Sequence, residues 1–138
     1  MTSSVPVILY ACVHNSGRSV AAKVLTEHYA GTAAVVRSAG SEPGGGVNPV
    51  VAEVLRERGL STAAEVPTML DDAAVAGADL VITMGCGETC PVFPGRRYED
   101  WQVDDPKGQD ITTVRRIVDD IDARVRRLLT ELGIPAPA

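Results

Sequence analysis

The order of apolar and polar residues predicts a chain in which strands and helices alternate. Residues 5–11 form an almost unbroken apolar run, which is typical of a strand that is buried on both faces. From Ser19 onward, Ala22, Leu25 and Tyr29 recur at helical spacing. Residues 12–19 therefore form a turn that leads from a strand into a helix.

The remainder of the chain continues this alternation. Asn48 followed by Pro49 is typical of a helix start, and Asp110 precedes a long series of apolar residues at helical spacing. The patterns predict, in chain order, a strand at 34–38, a helix at 49–58, a short helix from Asp71 or Asp72 to Ala76, a strand at 79–84, an edge strand at 97–101 and a final helix after Asp110.

Strands that are separated by a helix pair in parallel through a right-handed crossover. The predicted fold class is therefore α/β, a three-layer open sheet of four parallel strands with helices on both faces. A length of 138 residues corresponds to one domain, which we expect to span residues 1–138. In such sheets the functional loops follow the carboxyl ends of the strands, and Cys12, Cys86 and Asp105 all fall on such loops.

The turn at residues 12–19, with the sequence C-V-H-N-S-G-R-S, has the composition of an anion site. A strand-to-helix turn directs backbone N–H groups and the positive end of the helix dipole at one point. Cys12 opens the turn and Arg18 closes it, so a thiol and a guanidinium can face the same oxyanion. The N–H groups, Arg18 and the Ser19 hydroxyl would all favour the thiolate form of Cys12.

The alternative for this turn is a buried structural cysteine followed by a solvated arginine. We favour the oxyanion cradle, because the strand, the spacing of Cys12 and Arg18, and the helix coincide. Asn15 tolerates left-handed backbone and can brace the curled loop, whereas His14 is expected to face solvent. The predicted oxyanion-binding residues are Val13, His14, Asn15, Ser16, Gly17, Arg18 and Ser19.

The net charge and the composition of particular segments limit which partners and which cellular compartment we expect for this chain. The net charge of −5 argues against a nucleic-acid or anionic membrane surface, so an anionic substrate must be attracted locally. Residues 1–6 lack the basic and apolar regions of a signal peptide, and no apolar run is long enough to span a membrane. We expect a cytoplasmic monomer. The glycine-rich segment 41–46 is expected to be only a flexible connection.

Cys86 and Cys90 form a C-x3-C pair on the loop after the third predicted strand, and three cysteines in total is an odd count for a secreted disulfide framework. The pair could supply two electrons to a redox reaction, fill the core, or bind zinc. Zinc usually takes four nitrogen or sulfur ligands, and only His14 and His28 could complete such a set. Glycines around Cys86 favour a surface loop, and we expect no metal and no cofactor.

Several segments together resemble the low-molecular-weight tyrosine phosphatase family and its arsenate reductase branch. The resemblance covers nearly the whole chain. It rests on the C-x5-R-S turn at 12–19, R-S-A-G-S-E-P from Arg37, C-P-V-F-P-G-R-R-Y-E-D-W from Cys90 and W-Q-V-D-D-P from Trp101. The resemblance implies that Asp105 is the general acid, with Asp104 as the obvious alternative assignment. Taken alone, Asp105-Pro106 has the sequence of a plain turn.

The arsenate reductase branch implies a specific reaction. Cys12 would attack arsenate held by the turn and Arg18, and Cys86 would release arsenite by forming a disulfide with Cys12. Cys90 would then resolve that disulfide, and thioredoxin would reduce the Cys86 to Cys90 bond. Phosphate would compete with arsenate. The alternatives are an arsenate-mycothiol transferase coupled to mycoredoxin, a tyrosine phosphatase, and a non-catalytic oxyanion or redox sensor.

The sequence departs from the family pattern at several positions. Cys86 and Cys90 are closer together than in the best-known three-cysteine reductases. Gly17 stands where phosphatase members have a cysteine, and Lys107-Gly108 follow Pro106 where those members have aromatic residues. An aryl phosphate would therefore lack a stacking platform. Lys23 falls near the acidic position of a potassium site in some relatives, so that site is not expected here.

Overall fold

The computed structural model describes residues 5–85 and 97–134. The strands are β1 (Val7–Cys12), β2 (Val35–Gly40), β3 (Leu80–Thr83) and β4 (Arg97–Asp100). The helices are α1 (Arg18–Ala30), α2 (Pro49–Glu57), α3 (Asp72–Ala76) and α4 (Ile111–Glu131), and a single 3-10 turn, Gly31–Ala33, follows α1. Each predicted element is present, with bounds that differ from the prediction by at most two residues.

The four strands form one parallel sheet in the order β2-β1-β3-β4. The predicted α/β sheet of four parallel strands is therefore confirmed. Because all four strands run the same way, their carboxyl ends lie at one edge of the sheet, and β1 lies between β2 and β3. Cys12 is the last residue of β1, so the turn that follows it projects from the centre of that edge.

Side chains from β1 alternate between two apolar layers, as the pleat of a strand requires. Ile8 and Tyr10 pack with α1, α2 and α4 on one face, in a cluster that includes Val114, Ile121 and Leu128 of α4. Leu9 and Ala11 face the other layer with α3. Helices therefore cover both faces, and β1 is buried on both, as its unbroken apolar sequence predicts.

A buried hydroxyl pair fixes α1 against β1 close to the turn. The Tyr10 hydroxyl lies 2.7 Å from the Thr26 Oγ1, which itself donates to the Ala22 carbonyl over 2.7 Å. The Thr26 proton is thus already used, so Tyr10 is the donor of the pair. Burial raises the pKa of Tyr10, and its phenol stays protonated.

The helix starts divide into two kinds. Asn48 accepts from the Val50 and Val51 N–H groups, Asp71 caps α3, and Asp110 accepts from the Thr113 N–H. In contrast, α1 begins after Gly17 with no side-chain cap and no acidic residue in its first turn. None of the helices within residues 5–85 and 97–134 has the length and apolar character that crossing a bilayer requires.

The helix caps at Asp110 and Asn48 differ in their expected response to acid. The hydrogen bonds from Thr113 hold the pKa of Asp110 below its usual value, so this cap stabilises the fold above the unfolded pKa of ~3.9 and loses its contribution as pH falls through the lower folded value. We expect Asp110→Ala to lower Tm near neutral pH and to lower it by less at about pH 3, which lies below the unfolded pKa. Asn48→Ala, which removes an uncharged cap worth about 1 kcal/mol, should lower stability equally at both pH values. Calorimetry at the two pH values measures the difference, and an Asp110→Ala effect that does not change with pH would contradict the assignment.

Candidate active site

A chain of hydrogen bonds ends on the Cys12 thiol. The Thr68 N–H donates to Asn15 Oδ1 over 2.8 Å, and Asn15 Nδ2 donates to Ser19 Oγ over 2.8 Å. Ser19 Oγ lies 2.9 Å from Cys12 Sγ. Because the Ser19 oxygen already accepts from Asn15, its proton is free to point at the sulfur. Ser19 can therefore donate to the Cys12 sulfur, and one network connects the Thr68 main chain with the thiol.

Asn15 holds the turn in its curled shape. Its φ is 51°, within the left-handed region that asparagine tolerates better than most residues, and it is fully buried. Both ends of its amide are used, one by Thr68 and the other by Ser19. The prediction that Asn15 adopts left-handed backbone and braces the loop is confirmed.

The backbone carbonyl groups of the turn point away from the site and are held by the glycine-rich segment. Ser41, Glu42, Gly44 and Asn48 each donate a backbone N–H to a turn carbonyl, at distances of 2.7 to 3.1 Å. The acceptors, in the same order, are the carbonyl groups of Cys12, Val13, His14 and Ser16. The expectation that residues 41–46 are only a flexible connection was therefore wrong.

On the opposite side of the turn, backbone N–H groups remain available as hydrogen-bond donors. Among residues 5–85 and 97–134, no backbone carbonyl accepts from the N–H groups of residues 14–17. The α1 start adds further N–H groups that no side chain caps. N–H groups without such an acceptor and the positive end of a helix dipole suit a tetrahedral oxyanion.

Arg18 lies where three segments meet. Its guanidinium donates to the Val103 carbonyl over 3.4 Å and lies 3.8 Å from Asp105 Oδ2, while only 11% of the side chain is exposed. Gly85 touches the same guanidinium: a Cβ on Gly85 would lie 2.3 Å from Arg18 Nη1, and the φ of Gly85 is +92°. Glycine is thus required at this position for two reasons.

Asp105 and Asp104 face different surroundings. Asp105 accepts from the Lys107 N–H over 3.0 Å and faces Arg18, with 52% of its side chain exposed. Asp104 points outward toward Arg116, 3.5 Å away, and is 73% exposed. Of the two carboxylates, only Asp105 lines the pocket above Cys12.

The pocket itself has a volume of about 440 Å³. Cys12 and the turn form its floor, residues 44–50 form one wall, and residues 105–109 form the other. None of the described residues that line it is Phe, Tyr or Trp. The surfaces that could contact a substrate beyond the anion are backbone and short or flexible side chains.

The structure thus brings Cys12, Arg18, Asp105 and the 12–19 turn together, while Cys86 and Cys90 lie outside the described residues. His14 is half-buried at the pocket, with Nδ1 3.1 Å from the Glu42 carbonyl, and so does not simply face solvent. No group of three His, Cys, Asp or Glu residues within the described part of the chain could hold a metal ion. The Lys23 ammonium is paired with Glu27 and Glu65.

Three residues that support the site are missing from the sequence-based prediction. Gly40 lies so close to the turn that a Cβ would be 2.5 Å from the Val13 carbonyl oxygen. Gly85 leaves room for Arg18, and Thr68 positions Asn15 through its backbone. A glycine at the end of each neighbouring strand was a usable signal for the first two. Thr68 carries no signal, because its contact uses only the main chain.

Substitutions of Asn15 can separate its two roles. Asn15→Gly keeps the left-handed backbone but loses both side-chain hydrogen bonds, whereas Asn15→Ala also incurs the left-handed cost of about 1 kcal/mol or more. We expect both variants to bind phosphate more weakly than wild type. We expect Asn15→Ala to have the lower free energy of unfolding. Urea unfolding and calorimetric titration with phosphate measure these effects, and equal stability of the two variants would show that backbone conformation contributes little.

Several known proteins with similar sequence and structure are arsenate reductases. Arsenate reductase 1 of Bacillus cereus is 33% identical over 124 residues, which cover 87% of this chain and 91% of that protein. A thioredoxin-dependent arsenate reductase from Corynebacterium glutamicum is 43% identical with a TM-score of 0.85; the match covers 96% of this chain and 64% of the longer one. An arsenate reductase from Archaeoglobus fulgidus is 34% identical with a TM-score of 0.78, over 89% of this chain and 98% of the other.

The family relationship is shown by sequence over almost the full length. The profile described as low molecular weight phosphotyrosine protein phosphatase matches residues 7–135, which include the Cys12 turn, all four strands and Asp105. The matched range also agrees with the parallel sheet and the site at its carboxyl edge. The chain therefore belongs to the low molecular weight phosphotyrosine protein phosphatase family.

Proposed function

We propose that this protein is a thioredoxin-coupled arsenate reductase in which Cys12 is the nucleophile. The observation that carries the proposal is the buried Cys12 thiol at the floor of an anion pocket, hydrogen-bonded to Ser19 and flanked by Arg18 and Asp105. The arsenate reductases among its relatives support arsenate as the oxyanion. Phosphate has the same shape and charge and would compete for the pocket.

In the first step the Cys12 thiolate attacks the arsenic atom. A sulfur–arsenic bond forms, one arsenic–oxygen bond breaks, and the oxygen leaves as water. The N–H groups of the turn and the Arg18 guanidinium would bind the remaining oxygens, whose negative charge they stabilise without reorganisation.

Asp105 is the proposed general acid for the departing oxygen. Oxide and hydroxide leave poorly unless they are protonated, and a carboxyl group beside the anion can supply the proton. Asp105 lies on the pocket wall opposite residues 44–50, within 3.8 Å of Arg18.

The next steps use the proposed relay. The Cys86 thiolate attacks Cys12 Sγ, the sulfur–arsenic electron pair leaves with arsenic as arsenite, and two thiols become one disulfide. Cys90 then attacks Cys86, which frees Cys12 and leaves a Cys86 to Cys90 disulfide for thioredoxin to reduce.

The other activities fit the site less well. A tyrosine phosphatase would need a surface against which a phenol ring stacks, and the described pocket walls carry none. A sensor would need no acid at the pocket, yet Asp105 lies there. A mycothiol-dependent transferase would use Cys12 alone, with no role for Cys86 and Cys90. We propose that the protein acts as a monomer, since every residue assigned a role belongs to one chain.

The acid assignment can be tested with two neighbouring aspartates. Asp105→Asn should bind phosphate as wild type does but lose on the order of 100-fold in single-turnover arsenite release, the usual scale for a positioned general acid. Asp104→Asn is the matched control and should change little, because Asp104 faces Arg116 and not the pocket. Rapid-quench measurement of arsenite detects the difference. If the two variants exchanged behaviour, the acid would be Asp104.

The relay can be tested with thioredoxin, thioredoxin reductase and NADPH as the reducing system. Cys86→Ser should stall after arsenate addition, because nothing attacks the Cys12 adduct. Cys90→Ser should release one arsenite per protein and stop as a Cys12 to Cys86 disulfide. After proteolysis, mass spectrometry should show the two linked peptides.

Two results would contradict this route. Multiple turnover by the Cys86→Ser, Cys90→Ser double variant with thioredoxin alone would remove the relay. Turnover of the wild type that requires an added small thiol would make the protein a thiol transferase. Absence of arsenate reduction under every condition, with phosphate still bound, would favour the sensor.

A further inference from the structure

Gly17, in the floor of the pocket, lies against Pro106 in its wall. A Cβ built on Gly17 would lie 2.8 Å from Cγ and 3.7 Å from Cδ of the Pro106 ring, closer to Cγ than such atoms approach in proteins. Both residues are buried. The φ of Gly17 is −132°, outside the left-handed region, so the contact with Pro106 supplies a reason for glycine here.

The contact matters because a proline ring cannot move independently of its backbone. A flexible side chain could rotate away from a new methyl group, but the Pro106 ring includes its own backbone nitrogen and Cα. Displacing the ring therefore displaces the peptide that joins it to Asp105. Lys107 would move as well, and its N–H is hydrogen-bonded to Asp105 Oδ1 at 3.0 Å.

Ionic attraction alone does not hold Asp105 in place. Its carboxylate is half exposed and lies 3.8 Å from Arg18, a geometry in which ion pairs contribute little. Lys107, Gly108 and Gln109, between Pro106 and the cap at Asp110, are all exposed. Pro106 is the buried residue of this wall, and its ring lies against Gly17.

We propose that Gly17 is a positioning residue for the general acid: its missing side chain forms a seat for the Pro106 ring, and the seated ring holds Asp105 beside Arg18. This inference rests on the proposed function, in which Asp105 protonates the departing oxygen. In this chain, a methyl group at position 17 would keep the anion cradle but shift the acid away from it.

Gly17→Ala should therefore lower kcat and leave anion binding intact. We expect kcat for arsenate reduction to fall by roughly 10- to 100-fold, because misplacing a catalytic group by about 1 Å has effects of this size. The inhibition constant of phosphate should change by less than about 3-fold, since the cradle donors are backbone N–H groups. A Gly17→Ala variant that folds but loses phosphate binding would overturn the proposal, because the methyl group would then disturb the cradle itself.

Double variants separate positioning from a general structural effect. If Gly17 acts through Asp105, adding Gly17→Ala to Asp105→Asn should cost no further activity, whereas independent effects would multiply. Gly17→Ala added to Pro106→Ala should likewise cost nothing beyond Pro106→Ala alone, because the ring is already gone. Multiplying losses in either pair would overturn the proposal. If Gly17→Ala does not fold, Pro106→Ala alone should show the same loss of kcat with unchanged phosphate inhibition, and wild-type kcat in this variant would overturn it.

A readout without turnover separates this inference from the proposed function. Hydrogen exchange of the Lys107 amide, which reports the Asp105 hydrogen bond, should be faster in Gly17→Ala than in wild type and unchanged in the control Asp104→Asn. Unchanged hydrogen exchange of the Lys107 amide in Gly17→Ala would contradict the proposal that Gly17 positions Asp105 through the Pro106 ring. Faster exchange in Gly17→Ala, together with a wild-type protein that reduces no arsenate, would support the seat and count against the proposed function.

Discussion

The site depends on how the backbone carbonyl groups of one turn are satisfied. The backbone carbonyl groups of a curled loop at the centre of a sheet edge need hydrogen-bond donors. Residues 41–48 supply these donors as four backbone N–H groups. With the carbonyl groups facing away, the N–H groups of residues 14–17 and the start of α1 are left for an anion. Two loops are thus needed to make one anion site.

The same constraint explains why small and polar residues surround the turn. Gly40 allows β2 to approach the turn closely, and Asn15 takes a backbone conformation that few other residues accept. Asn15 donates a hydrogen bond to Ser19, whose hydroxyl lies 2.9 Å from Cys12 Sγ. One connected network therefore links the curvature of the loop to the surroundings of the thiol.

Charge at the site is local and opposes the charge of the whole chain. The protein carries a net charge of −5, yet Arg18 and Lys107 lie at the pocket and α4 pairs many of its surface charges in ion pairs such as Arg115 with Glu57. Long-range attraction of an oxyanion is weak under these conditions. In the proposed function, binding would come from oriented N–H groups and Arg18 at short range, which suits discrimination by shape more than capture by a broad potential.

Sequence alone determined the elements and the chemistry of the turn, because both are local properties. Among the described residues, the pattern of apolar and turn residues located the four strands and four α-helices, the caps at Asn48 and Asp110 marked helix starts, and the spacing of Cys12 and Arg18 predicted an anion turn. Only the tertiary structure decided which distant segments complete that turn. The contacts of residues 41–48 with the turn, Thr68 with Asn15, and Gly85 with Arg18 use main-chain groups or missing side chains. Such contacts leave no periodic or compositional trace, since a main-chain donor is available at nearly every residue, and only the folded chain selects which one is used.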